Sequence, residues 1–163
     1  MALIKQHRIG VFETNSSSSH SISICTTKPA LDTLVPDDDG LIRSSGEEFG
    51  WENRTYFDAR TKLDYLVTHL FSYCRSYKDV LKVKHENQNF KMLEDVIQEH
   101  CGALLEVEPH GGNYPDDGGG WYALFGYIDH QSAHLPEEIF TSKSNVASFL
   151  FNPQSSLTTG NDN

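Results

Sequence analysis

"DARTKLDYLVTHLFSYCRSY", residues Asp58 to Tyr77, carries apolar side chains at Leu63, Leu66, Val67, Leu70, Phe71 and Cys74. That three-and-four spacing places them on one helical face, so the stretch predicts an amphipathic helix with one buried side. A second helix is expected from Gln88 to Cys101, with Phe90, Leu93, Val96, Ile97 and Cys101 inward and Gly102 as its stop. A third is expected from Ser142 to Phe151, with Val146, Phe149 and Leu150 inward, Thr141 or Ser142 as N-cap, and Pro153 beyond its end. Helices with a single apolar face need a second layer to cover it, and the remaining sequence must supply that layer.

The covering layer reads as strands. His7 to Thr14 and His20 to Thr26 are rich in β-branched residues, with Ile22 and Ile24 on one face and Ser21, Ser23 and Cys25 on the other. From Lys28 to Asn53 the chain reads as a long loop broken by Pro29, Pro36 and two small-residue turns, with at most one short strand around Leu41 to Arg43. Ala103 to Glu108 alternates as a strand and "WYALFGYID", Trp121 to Asp129, is the most apolar strand candidate. Joined by "PHGGNYPDDGGG", the two predict a hairpin with a wide loop. The tail "SSLTTGNDN" has room for one more strand. The expected architecture is a single α+β domain over residues 1–163, a mainly antiparallel sheet with two or three helices packed on one face. A parallel βαβ order, with the helical pair as crossover, is the alternative.

With 13 basic and 23 acidic residues the formal charge is −10, which argues against direct nucleic-acid binding through clustered Lys and Arg. The local basic group Lys78, Lys82, Lys84 and His85 reads as a solvated helix end. An acidic surface also suits docking on a basic host-protein surface. The opening "MALIKQHRIG" lacks the apolar core of a signal peptide and no run reaches the length of a membrane span, so a cytoplasmic protein without membrane contact is expected. Cys25, Cys74 and Cys101 are odd in number and widely spaced, which suits reduced thiols.

Candidate chemistry gathers at "VFETNSSSSHSISI", Val11 to Ile24. Nucleophilic catalysis would pair Ser18 with His20, because alternate residues of an extended segment share a face, and His130 could join them. The G-x-S-x-G elbow of a serine hydrolase is absent. Alternatively, the backbone N–H groups and hydroxyls of Asn15, Ser16, Ser17, Ser18 and Ser19 could cradle a phosphate or carboxylate, as donor-rich turns do. The bland reading is a serine turn that satisfies its own backbone. A divalent metal is the third option, with Asp129, His130 and His134 as ligands, although "HQSAHLP" lacks the glutamate of H-E-x-x-H and meets Pro136 at once. The cofactor is otherwise undetermined. The glycine loop has neither G-x-G-x-x-G spacing nor a following Lys-Ser/Thr and reads as a connection.

Three stretches, "VFETNSSSSHSI", "GYIDHQS" and "FLFNPQSSLTTGNDN", resemble uncharacterised proteins of tailed bacteriophages and some bacteria. The resemblance implies a phage-type accessory protein acting in host takeover or counter-defence, and it implies no particular fold, reaction or ligand. Two functional expectations follow. One is a non-catalytic acidic binder, an inhibitor that docks on a host protein or captures a small anionic, nucleotide-like ligand at the serine run. The other is a hydrolase or phosphoryl- or nucleotidyl-processing enzyme with a Ser/His/Asp pocket, with or without a metal.

Overall fold

The computed structural model describes residues 6–10, 18–26, 31–50, 52–110, 124–128 and 135–161. In chain order the elements are β1 (Gln6–Gly10), β2 (Ser18–Cys25), β3 (Leu41–Ser44), β4 (Glu47–Phe49), β5 (Arg54–Tyr56), α1 (Ala59–Leu70), α2 (Tyr77–Glu86), α3 (Gln88–Cys101), β6 (Leu104–Val107), β7 (Gly126–Ile128), α4 (Leu135–Ile139), α5 (Lys143–Phe151) and β8 (Ser156–Asn161). This is an α+β fold, as the patterning predicts.

Local signals place the helices. Asp58 caps α1 by accepting from the Thr61 N–H, Asn87 caps α3 through the Phe90 N–H, and Ser142 caps α5 through the Asn145 N–H. Gly102 closes α3 at φ 64°, in the left-handed region where a Cβ would be strained. The helix expected from Asp58 to Tyr77 is shorter than its pattern. α1 stops at Leu70, where the Ser72 hydroxyl donates to the His69 carbonyl, and Ser76 then opens α2 with a capping box formed with Asp79. Phe71 and Cys74 are still buried, but from a turn.

Four strands form an antiparallel sheet in the order β1-β2-β8-β5. The tail strand β8 therefore lies inside the sheet, with Leu157 opposite both Ile22 and Tyr56. β2 begins at Ser18, so Ser18 and Ser19 belong to the strand and not to the turn predicted over Asn15 to Ser19: Ser18 pairs with Asn161 and Ser19 with Gly160.

The hairpin expected from Ala103 to Asp129 is corrected by the pairing. β6 runs parallel to β3, with Leu41 opposite Leu104 and Ser44 opposite Val107, and β7 runs parallel to β4, with Glu47 opposite Gly126. β6 and β7 thus lie end to end along the segment 41–49 rather than side by side. The helices α1 to α3 make the crossover that a parallel pair requires. Two glycines allow the change of partner. A Cβ at Gly46 would lie 1.9 Å from the Phe125 carbonyl oxygen, and one at Gly126 would lie 2.1 Å from that of Glu47. Both residues also have positive φ, 69° and 83°.

Buried residues from β2, β3, β4, β6, β8 and all five helices except α2's outer side join one hydrophobic cluster, reaching from Ile22 through Leu66, Leu93 and Phe149 to Leu157. α1 packs on β4, β7 and α5, and α5 packs on β2. The helix α1 is thereby enclosed on several sides, which decides the fate of its polar residues.

Candidate functional site

His20 lies in β2 opposite Thr159 and is only 2% exposed. Its ring centroid is 6.2 Å from that of Tyr65 on α1, with the planes tilted by 50°. Tyr65 in turn meets Phe49 edge to face at 5.1 Å, and Phe49 meets Tyr56 at 6.0 Å. The result is an aromatic row beneath the sheet that starts two residues from Ser18. Strand β7 ends at Ile128, opposite Phe49 of the same row.

Tyr65 is fully buried, and its hydroxyl has no hydrogen-bond partner among the described residues. Burial pushes its pKa upward, so the group stays protonated and keeps a hydrogen to donate. A buried hydroxyl without a partner costs on the order of 1–3 kcal/mol, and such groups are rare enough to call for an explanation.

Of the residues singled out in the sequence, the structure brings His20 into the core face of β2 and places Ser18 and Ser19 in the same strand. Asn15, Ser16, Ser17, Asp129, His130 and His134 lie outside the described residues. Among the described residues no cluster of three His, Cys, Asp or Glu side chains could hold a metal ion. Cys25, Cys74 and Cys101 are all free thiols. No helix among the described residues is long and apolar enough to cross a membrane.

The acidic turn has an internal role. Asp37 and Asp39 both grip Arg43 at 2.5 Å, and Glu108 reaches the same guanidinium at 3.4 Å. The Arg43 hydrogen bond holds the Asp39 carboxyl below its usual range. Much of that turn's charge is thus met within the chain. In the basic group, Lys84 pairs with Glu106 at 3.0 Å, while Lys82 and His85 are exposed on α2.

Two residues escaped the sequence reading. Tyr65 was absorbed into the expected helix, and Lys62, also on α1, is fully buried. The Lys62 ammonium donates to the carbonyls of Asn152 and Ser155, each at 3.1 Å, and lies 5.7 Å from the Phe149 ring centroid. Around it the Asn152 amide donates to the Cys25 carbonyl, the Cys25 N–H donates to the Ser155 hydroxyl, and that hydroxyl donates to the Ser148 carbonyl. Burial holds the Lys62 pKa down at about 8, against the opposing charges of Asp32 and Asp58. The available signal was spacing: Ala59, Lys62 and Leu66 share the inward face that Leu63 marks.

No protein-family model matches the chain, and no curated protein or solved structure matches it either.

Proposed function

We propose that the protein is a non-catalytic acidic binder, a phage-type accessory protein acting in host takeover or counter-defence, that captures a small anionic, nucleotide-like ligand at Asn15 to Ser19, with His20 and Tyr65 as further contacts. The observation that carries this reading is the Tyr65 hydroxyl, fully buried, protonated and without a hydrogen-bond partner among the described residues, beside the His20 ring. A donor kept dry and unused is what a site for an acceptor-rich ligand needs, because its hydrogen bond then forms in a low-dielectric setting. The internal pairing of Asp37 and Asp39 with Arg43 favours ligand capture over docking on a host protein through that turn.

The enzyme alternative, with Ser18, His20, Asp129 and His130 in one pocket, is less well supported. The chain lacks the G-x-S-x-G elbow that presents a serine nucleophile to its base.

Calorimetric titration of the protein with inorganic phosphate and with nucleoside monophosphates tests the reading. Binding is expected, and Tyr65→Phe and His20→Ala should each weaken it about tenfold, the scale of one lost hydrogen bond to a charged group. Absence of binding to both probes, or affinity unchanged in both variants, would overturn it. Release of phosphate from a nucleotide by the purified protein, lost in His20→Ala, would establish the enzyme alternative in its place.

A further inference from the structure

On the side of the molecule where α3 meets α5, a groove of about 550 Å³ opens between the C-terminal turn of α3 and the first two turns of α5. Its volume falls in the range of small-molecule sites. Val96 and Ala147 provide an apolar floor, and Leu31 stands at the rim with more than half its surface exposed. The hydroxyls of Thr26, Ser144 and Ser148 line the same space and make no hydrogen bond among the described residues.

His100 gives the groove its chemical character. Its ring stacks on Phe151 at 5.1 Å with only 11° between the planes, so one face is covered by the core while the residue as a whole remains exposed. Its Nδ1 lies 3.1 Å from the Val96 carbonyl oxygen. A carbonyl can only accept, so Nδ1 carries the hydrogen and Nε2 of the neutral ring is an acceptor. The groove therefore offers a flat π-face, one ring acceptor and hydroxyls that have no hydrogen bond among the described residues.

Charge selects against an anion. Lys143, the cation at this site, is held by Asp95 at 2.9 Å and Glu99 at 3.0 Å, so two carboxylates face one ammonium. An anionic ligand would have to displace one of them.

We propose that this groove is a second ligand site that takes a neutral planar heteroaromatic ring bearing hydroxyl groups, a ligand of the nucleoside class, stacked on His100. Stacking on the imidazole supplies affinity, and the ribose hydroxyls reach Thr26, Ser144 and Ser148, with one hydroxyl donating to Nε2 at the ring edge. The site is open on one side, so a dissociation constant on the order of 0.1–1 mM is expected. It is separate from the His20–Tyr65 region and does not depend on that reading.

Backbone amide NMR of the whole chain, titrated with adenosine, cytidine and ribose 5-phosphate, tests it. Saturable shifts centred on residues 96–100 and 143–148 are expected with a nucleoside and not with ribose 5-phosphate. His100→Ala should weaken nucleoside binding at least tenfold, and Ala147→Leu, which fills the groove without removing a polar group, should abolish it. If uncovering Phe151 unfolds the His100 variant, Ala147→Leu decides alone. No nucleoside shifts at these residues, equal shifts with ribose 5-phosphate, or binding undisturbed by Ala147→Leu would each overturn the proposal.

Discussion

Lys62 and Tyr65 stand three positions apart on α1, both fully buried, yet their surroundings differ in kind. Around Lys62 the loop after α5 wraps its carbonyls onto the ammonium, and hydrogen bonds from Cys25, Asn152 and Ser155 tie β2, α5 and the start of β8 together. Around Tyr65 the neighbours are rings: His20 on one side, Phe49 on the other, and no partner for the hydroxyl among the described residues. A buried polar group that is answered by the backbone reads as architecture. One that is left unanswered among the described residues calls for a different account, and the proposed function rests on that contrast within a single helix.

The largest test of that contrast is Lys62→Met. The thioether fills most of the space but leaves the Asn152 and Ser155 carbonyls without their donor, so a loss of roughly 3 kcal/mol in urea unfolding is expected, with binding of phosphate unchanged. If stability rises instead, the cost of burying the cation outweighs its hydrogen bonds, as happens for some buried charges.

The pH profile sharpens the same point. The folded pKa of Lys62 is about 8, below its ordinary 10.5. Below pH 8 the lysine is charged in both states and the cost of burying that charge is fully present. Between 8 and 10.5 the unfolded chain binds more protons than the folded one, so stability rises with pH, by up to about 3 kcal/mol. Burial of Cys74, pushed up to about 11 with Asp79 adding to the shift, and of Tyr65 acts in the opposite sense at the upper end of that window. The Lys62 contribution is therefore read as the difference between the wild-type and Lys62→Met profiles. Parallel profiles through pH 8 to 9 would show that the ammonium is not held at a lowered pKa.

Next in size is Ser155→Ala, which removes the acceptor of the Cys25 N–H and the donor to the Ser148 carbonyl. A loss of about 2 kcal/mol is expected from chemical unfolding. The smallest effect, and the one of opposite sign, belongs to Tyr65→Phe. Removing an unpartnered hydroxyl should raise the unliganded protein's stability by up to about 1 kcal/mol while binding of phosphate weakens. A variant that loses stability by more than that would mean the hydroxyl is already satisfied, and the contrast with Lys62 would collapse.

Legibility in the sequence followed the range of the interactions. α3 matches its expected span, from Gln88 to Cys101, and α5 its expected end at Phe151, because periodicity and capping residues act within a few positions. The break at Leu70 was hidden because Phe71 and Cys74 continue the apolar spacing from a turn, while Ser76 and Asp79, which do mark it, resemble any polar pair. At the candidate site His20 stood out by its place beside four serines. Tyr65 did not, since an aromatic residue on a helical face is ordinarily core and nothing local tells that its hydroxyl is unmet.

By itself the sequence determined which faces of α1, α3 and α5 are buried, where α3 stops and α5 is capped, and that β2 presents Ile22 and Ile24 to one side. Each of these rests on forces acting over a turn of helix or a pair of strand residues. Tertiary structure alone decided that the tail strand β8 lies within the sheet, and that Gly46 and Gly126 let one extended segment change partners. It also gave Lys62 two carbonyls and Tyr65 none among the described residues. Those outcomes depend on which distant backbone comes within about 3 Å, a quantity that no local pattern encodes.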